Sequence, residues 1–458
     1  MAEVKKVELG EGSVGKLLFR LAVPAITAQM VNALYNMVDR MYIGHMAGVG
    51  AAALTGVGVT FPVITLISAF AALVSMGGAP LASINLGMGK KERAEVILGN
   101  CTLALIVTAA ILTAFFSLYG REVLLKFGAS ENTIVYAWSY MRIYCLGTLF
   151  VQLALGLNAF INAQGYTTMG MLTVLIGALC NVVLDPIFIF ALGLGVRGAA
   201  YATVISQGIS SAWVVGFLTV GKSYLRIHLR CMKPDFHVLA PAVALGASPF
   251  TMQFTNSVLN VCFNTSLLKY GGDLAVGAMT ILSSIVQFVF LPLQGLAQGA
   301  QPITSFNYGA RKYDRVKRVY LLLLACSLSL AFMIWAIAEF APWLPVSVFT
   351  REPELSALSI WALRIYIFSY PFMGLQMACQ HTFVALGNAR TSLFVALLRK
   401  VFLLIPLIYI LPNFFEDKVF AVFLAEPMSD CISATTAVIL FVLFFKKIQR
   451  GEYDPAAK

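Results

Sequence analysis

The chain has 458 residues, of which 59% are hydrophobic and only 12% are charged, and its mean hydropathy is +0.84. A soluble domain needs more polar side chains than this to cover its surface, so the composition excludes a soluble enzyme or binding domain and predicts a polytopic membrane protein. The formal net charge of +11 needs an explanation that fits a membrane protein.

Twelve apolar stretches are long enough to cross a bilayer, which takes about 20 helical residues. They predict an all-α integral membrane fold. In chain order the predicted helices 1 to 12 cover residues 17–43, 53–77, 95–119, 134–162, 168–193, 197–220, 238–267, 275–303, 316–341, 356–385, 391–411 and 418–445.

The distribution of Lys and Arg predicts the orientation of these helices. Basic residues are about three times as frequent in the loops on the side of the N-terminus as on the opposite side, which the positive-inside rule assigns to the cytoplasm. We expect no removable signal peptide and both termini in the cytoplasm. The positive charge then follows from topology and the anionic inner leaflet, and no nucleic-acid partner is required.

The second half of the chain repeats the first. The loop at residues 85–93, NLGMGKKER, resembles the loop at residues 307–315, NYGARKYDR, and the same offset of 222 pairs Pro80 with Pro302 and Gly165 with Gly387. Because each copy has six helices, the two bundles should be related by a pseudo-two-fold axis along the membrane normal. We expect an N-terminal lobe at residues 1–221, a basic cytoplasmic linker at 222–237 and a C-terminal lobe at 238–458.

Two aspartates lie inside the predicted helices of the first lobe. Asp39 is in helix 1, and Asp185 is in helix 5 beside Pro186. A charged side chain in hydrocarbon costs at least about 3 kcal/mol, so such residues usually serve a function. Near the start of the repeat the offset is 225, which pairs Pro24 with Pro249 and Asp39 with Asn264, whereas the offset of 222 pairs Asp185 with Leu407. Both acids therefore belong to one lobe only.

Depth along the helices predicts that these acids meet other polar groups. Tyr35 is one turn before Asp39, and Asn181 is one turn before Asp185, each on the same helix face as its acid. Thr203 in helix 6 and Tyr140 in helix 4 reach a similar level. The two aspartates, the asparagine, the threonine and a tyrosine are therefore predicted to form one polar pocket in the outer half of the first bundle.

Burial and mutual repulsion disfavour two negative charges in such a pocket. At least one acid should hold a proton near neutral pH unless a cation neutralises it. The sequence therefore predicts a switch operated by H+ or by Na+, with possible Na+ ligands from Asp39, Asn181, Asp185 and Thr203. Two structural roles stay open: Asp39 capping helix 1 or pairing with Arg40, and Asp185 satisfying backbone freed by Pro186.

Helix 12 contains a second acidic pair, Glu426 and Asp430, four residues apart on one face. We expect them to pair with Arg399 or Lys400 of helix 11, because charged groups inside bundles commonly pair; a coupling role stays open as the alternative. The eight cysteines occur singly, without a C-x-x-C pair, so we expect neither a disulfide framework nor a zinc site, and no cofactor.

Several of these segments together resemble the multidrug and toxic compound extrusion (MATE) family, and specifically its DinF-like branch. They are the helix-1 sequence PAITAQMVNALYNMVDRMYIG, the segment LDPIFIF followed by GLGVRGAAYAT, the two repeated loops, and EPMSD in helix 12. The resemblance implies two six-helix lobes around a central cavity and export of cationic amphiphiles in exchange for H+ or Na+. It implies coupling through Asp39 and Asp185, with Asn181, Thr203, Tyr140, Tyr35 and Asn158 as polar neighbours or substrate contacts; Tyr35, Asn158 and Asp39 are the expected substrate-binding residues.

The sequence thus predicts a secondary antiporter of the cell (inner) membrane, acting as a monomer on small cationic or amphiphilic molecules. One alternative is a flippase for lipids or lipid-linked precursors, which predicts a groove with several basic residues. A minor alternative is an intramembrane aspartyl protease. That class is expected to carry Gly-x-Gly-Asp, whereas the acids here follow Met37-Val38 and Val183-Leu184.

Overall fold

The computed structural model describes residues 9–46 and 50–450, and this part of the chain is helical without a β-strand. Nine of its helices are long and apolar enough to cross a membrane, and two bent helix pairs pass the same test together. The expectations for the cytoplasmic termini concern, in part, residues 1–8 and 451–458, which lie outside the described residues. The chain is a multi-pass membrane protein.

One of the nine helices, Phe236–Gly309, contains two spans. A straight helix of 74 residues would be roughly 110 Å long, whereas the hydrocarbon core is about 30 Å thick. Its backbone leaves the helical region at Gly272, where φ is 65° and ψ is −164°. Division at this glycine, together with the two bent pairs, gives the twelve spans that the sequence predicts within the described residues.

We number these spans α1 to α12 in chain order. They are α1 Val14–Gly44, α2 Gly50–Gly87, α3 Lys91–Lys126, α4 Ile134–Leu146 with Thr148–Ala163, α5 Thr167–Ala191, α6 Val196–Thr219, α7 236–271, α8 273–309, α9 Tyr313–Phe340, α10 Pro353–Ile367 with Tyr370–Ala385, α11 Ala389–Asn413 and α12 Lys418–Gln449.

The helices extend further than the predicted apolar stretches. α2 ends at Gly87, ten residues beyond the predicted end, and α3 runs over Lys91–Lys126 where the prediction covers 95–119. The apolar stretch ends at the hydrocarbon boundary, whereas the helical hydrogen bonds continue into the water layer.

Backbone irregularities recur in both halves. α4 bends by 59° and α10 by 46°, and both α5 and α11 contain a π-helical segment, Ile187–Ala191 and Leu398–Leu404. At the offset of 222, Gly165 and Gly387 have φ of 87° and 73°. Gly89 and Arg311 have φ of 76° and 57°, so Arg311 keeps a conformation that favours glycine. The bends and the positive φ angles lie at positions paired by the offset and support the internal duplication, whereas the two π-helical segments do not coincide at this offset.

Each proposed lobe has its own hydrophobic core. One core connects residues between Ile43 and Ala200, and another connects residues between Leu259 and Ala425. A third cluster joins the lobes, because Leu17, Leu21 and Ala22 of α1 pack with Ile303 of α8.

Glycines allow close packing between the lobes at the end of the molecule where the first and last described residues lie. A Cβ atom at Gly77 of α2 would overlap the carbonyl oxygen of Ala242 of α7, and one at Gly309 of α8 would overlap that of Ile84. On α8, Cβ atoms at Gly295 and Gly299 would come within 2.5 Å of α1 backbone atoms. The lobes therefore meet backbone to backbone at this end.

The segment that leads into α1 is held by the opposite lobe. Asn307 Nδ2 donates to the carbonyl oxygen of Leu9 at 2.8 Å, Lys312 Nζ donates to that of Gly10 at 2.9 Å, and Arg315 donates to those of Glu11 and Gly12. These bonds tie the start of α1 to the loop between α8 and α9.

The linker is held in a comparable way by the N-terminal lobe. Gln164 Oε1 accepts from the Leu225 amide at 2.8 Å, and Asn100 Oδ1 accepts from the Asp235 amide at 2.8 Å. The chain leading into each lobe is thus fixed to the other lobe.

The substitution Gly77→Ala tests the interlobe contact. Because the added Cβ overlaps Ala242, we expect a melting temperature in detergent several degrees below that of the unmodified protein. The matched control is Gly216→Ala in α6, where a Cβ would meet no atom within 4 Å and the gain in helix propensity is up to about 1 kcal/mol. Equal melting temperatures for the two variants would contradict the packing described here.

Candidate functional site

Helices α1 and α5 place two acids side by side. Tyr35 and Asp39 lie one turn apart on α1, and Asn181 and Asp185 lie one turn apart on α5. The carboxyl groups of Asp39 and Asp185 face each other closely enough to interact electrostatically. Asp185 is fully buried and Asp39 is partly buried, so little water screens the interaction.

Three further polar side chains surround the acids. Asn181 Nδ2 donates to Asp185 Oδ1 at 3.3 Å and lies 3.4 Å from Thr203 Oγ1 of α6. The hydroxyl of Tyr140 of α4 is 3.4 Å from the same Thr203 oxygen. Thr203 donates its own proton to the carbonyl oxygen of Ala199 at 3.0 Å, so its oxygen is free to accept. The structure thus connects Asp185, Asn181, Thr203 and Tyr140 in one network.

The network has too few donors. Asp39 Oδ1, Asp185 Oδ2 and Asn181 Oδ1 are buried and have no hydrogen-bond partner among the described residues. All three are acceptor oxygens, and leaving such atoms unpaired costs about 1–3 kcal/mol each. A proton or a cation placed between them would supply the missing interaction. The oxygens also suit Na+, which as a hard cation prefers carboxylate, amide and hydroxyl oxygens.

A cavity of about 40 Å³ adjoins the acid pair. Its lining includes Tyr35, Asn158, Asn181 and Thr203. Asn158 Nδ2 donates to the carbonyl oxygen of Gly170 at 3.2 Å, whereas its Oδ1 has no partner among the described residues. The cavity has room for one or two water molecules, so it can hold a small ion or a proton-carrying water beside the acids.

Sequence reasoning overlooked several polar residues of this cavity. Asn32, Ser206, Gln207 and Ser210 also line it, and Gln207 interacts with the Tyr35 hydroxyl. Gln207 lies one turn after Thr203 on α6, so the same-face argument that selected Asn181 could have found it. Uncharged polar residues are common in membrane-spanning helices, so they indicate a functional site less strongly than a buried acid does.

The alternative roles of Asp39 and Asp185 receive less support from this geometry. Arg40 stacks on the ring of Phe61, with 4.8 Å between its guanidinium carbon and the ring centroid, while Asp39 faces Asp185. α1 ends at His45 through backbone bonds to residues 41–43. An acid that faces another acid does not, through that interaction, cap a backbone amide or form a salt bridge.

The second acidic pair is neutralised. Arg399 Nε is 2.6 Å from Asp430 Oδ1, Arg399 NH2 is 3.2 Å from Glu426 Oε1, and Lys400 Nζ is 3.5 Å from the same Glu426 oxygen. The predicted pairing between α11 and α12 is therefore present. The two lobes differ in that Glu426 and Asp430 form salt bridges with buried cations, whereas among the described residues Asp39 is attracted by Arg40, its exposed neighbour on α1.

Comparisons with known proteins agree with this architecture. The family model described as MatE matches residues 24–187 and 250–410, one segment in each half of the chain. The multidrug export protein MepA of Staphylococcus haemolyticus is 24% identical over 408 residues, which are 88% of each chain.

Solved structures show the same fold. A crystal structure of MATE in the bent conformation superposes with a TM-score of 0.91 at 23% identity, covering 98% of this chain and 99% of that one. An outward-facing multidrug resistance MATE family transporter of the MOP superfamily gives 0.88 at 24% identity, with 97% and 99% covered. Since the family model covers well over half of the chain, and in both repeats, this protein belongs to the MatE family.

Proposed function

We propose that this protein is a secondary antiporter that exports small organic cations or other amphiphiles in exchange for H+ or Na+. The observation that carries the proposal is the close approach of Asp39 and Asp185, with three unpaired acceptor oxygens around it. The relatives named multidrug export proteins support the substrate class. Family membership favours a transporter over an intramembrane protease.

The proposed exchange uses the charge of the acid pair. A coupling ion enters from the outer side, reaches Asp39 and Asp185, and reduces their negative charge. Helix α1, which carries Asp39 and the cavity residue Tyr35, then shifts, and the substrate site weakens. Return to the inward-facing state requires release of the ion to the cytoplasm. Asp39, Tyr35 and Asn158 are the proposed substrate contacts, and Asp185, Asn181, Thr203 and Tyr140 support ion binding.

The positions of the lobe contacts support alternating access. The glycine contacts of α2 and α8 and the bonds to residues 9–12 lie at one end of the molecule. The basic loops place this end in the cytoplasm under the positive-inside rule, so the described conformation would be closed to the cytoplasm.

We propose a monomer in the cell membrane with both termini cytoplasmic.

A lipid flippase receives little support from the basic residues in the spans. Arg399 and Lys400 are engaged by Glu426 and Asp430, and Arg142 and Arg364 are exposed on α4 and α10. These residues do not form a shared basic groove. Movement of a labelled lipid in the same vesicles would test this alternative.

Transport in proteoliposomes tests the coupling residues. We expect Asp39→Asn and Asp185→Asn to lose at least 90% of the cationic-dye efflux driven by an inward H+ or Na+ gradient, because an amide neither ionises nor exchanges a proton. The matched control, Asp273→Asn, changes an exposed aspartate and should keep wild-type transport. Retained gradient-driven efflux in both site variants would reject the assignment. Separate pH and Na+ gradients identify the ion.

Infrared spectroscopy tests the state of the acid pair without transport. At neutral pH and without Na+, we expect the band of a protonated carboxyl group, since two buried acids that face each other this closely cannot both stay ionised. Replacement of Asp39 or Asp185 by Asn should change or remove this band. Asp430→Asn should leave it unaltered, because Arg399 neutralises Asp430. A spectrum without the band in the wild-type protein would mean that the pair is fully ionised.

A further inference from the structure

The ion network between α11 and α12 is neutral and satisfied. Arg399 and Lys400 supply two positive charges, and Glu426 and Asp430 supply two negative charges. Arg399, Glu426 and Asp430 are at most 6% exposed. The second Asp430 oxygen accepts from Ser369 at 3.2 Å, and Ser429 donates to the Arg399 carbonyl oxygen at 2.6 Å.

Other groups that titrate face the same network. Tyr366 and Tyr370 of α10 interact electrostatically with Arg399 and Asp430, and Cys431 lies beside Asp430 on α12. All three are neutral in their ordinary state near pH 7. The charge balance of the cluster is therefore set by its two cations and two acids.

The network occupies the place that corresponds to the acid-pair cavity of the first lobe. At the offset of 222, Arg399 and Lys400 correspond to Gly177 and Ala178, and both of these residues line the cavity beside Asn181. Glu426 is the residue after the counterpart of Thr203. The fifth and sixth helices therefore contribute to the polar cluster of each lobe, although the first lobe adds Asp39 from α1. Each fifth helix has a π-helical segment, a feature frequent at functional sites.

We propose that Arg399 and Lys400 are resident counter-ions that prevent the acids of the C-terminal lobe from exchanging H+ or Na+, so that the N-terminal lobe alone sets the number of ions exchanged per substrate. This inference rests on the proposed antiport function. A guanidinium group stays protonated in proteins and is covalently tied to its helix, so it cannot leave as a coupling ion does. The two lobes thus balance a buried acid pair differently, one with an exchangeable ion and one with fixed cations.

The substitution Arg399→Met tests the proposal. It leaves Lys400 opposite two buried acids, so the cluster carries one excess negative charge. We expect the cluster to take up one H+ or one Na+, because an uncompensated buried carboxylate is strongly disfavoured. In the background Asp39→Asn/Asp185→Asn, infrared spectra should then show a new protonated-carboxyl band at neutral pH without Na+.

Two variants act as controls. Arg399→Lys keeps the positive charge, so it should show no new band. Adding Asp430→Asn to Arg399→Met restores neutrality, so it should remove the band. In an otherwise unmodified chain, Arg399→Met should raise the measured ratio of ions to substrate by one.

Lys400→Met provides a second test with fewer lost contacts. The Lys400 side chain is 11% exposed and its ammonium group is 3.5 Å from the Glu426 oxygen, a longer ion pair than those of Arg399, so this variant should fold even where Arg399→Met does not. It also leaves one excess negative charge and should show the same new band. If every folded variant lacks both the band and a response of its melting temperature to Na+, the proposal is overturned.

Failure of the proposed antiport function is recognised separately. It would appear as gradient-driven efflux that survives Asp39→Asn and Asp185→Asn. The infrared comparison of Arg399→Met with Arg399→Lys reports on the C-terminal cluster in either case, because it requires no transport.

Discussion

The electrostatic interaction between two carboxyl groups inside an apolar bundle is the constraint on which the rest of the structure depends. Asp39 and Asp185 repel each other when both are ionised, and burial strengthens this repulsion because little water screens it. The surrounding Asn181, Thr203 and Tyr140 provide weak, long hydrogen bonds of 3.3–3.4 Å and no positive charge. Arg40, exposed on α1, attracts Asp39. The proposed exchange supplies the further positive charge that a fully ionised pair would need.

Helix α1 connects this electrostatic constraint to the contact between the lobes. Its first residues follow the segment held by Asn307 and Arg315 of the opposite lobe, and at its middle Gln29 Nε2 donates to Gln298 Oε1 at 3.1 Å. Asp39 lies near its other end. A single continuous helix thus touches the C-terminal lobe with one half and Asp185 with the other. A shift of α1 on ion binding would change both contacts together.

The sequence predicted the acid pair and the twelve helices because each leaves a strong chemical signal. A carboxylate within an apolar stretch is costly enough to stand out, and the same-face rule then selected Tyr35 and Asn181. Gln207 was missed because an uncharged amide inside the membrane has a lower free-energy cost than a carboxylate and is common in such helices. The bends in α4 and α10 and the backbone contacts of Gly77 and Gly309 depend on packing between distant segments, which the spacing of residues along the chain does not record.

Charge balance gives a reason for exchange between a coupling ion and a cationic substrate. The ionised pair Asp39/Asp185 has two negative charges, and either one H+ or one Na+ reduces this to one. The residues that line the adjoining cavity, including Asn158, are uncharged, so the acid pair would dominate the field that a coupling ion experiences there. Under the proposed function, ion binding weakens the attraction of the acid pair for a cationic substrate. The C-terminal cluster, already neutral through Arg399 and Lys400, adds no net charge to this balance.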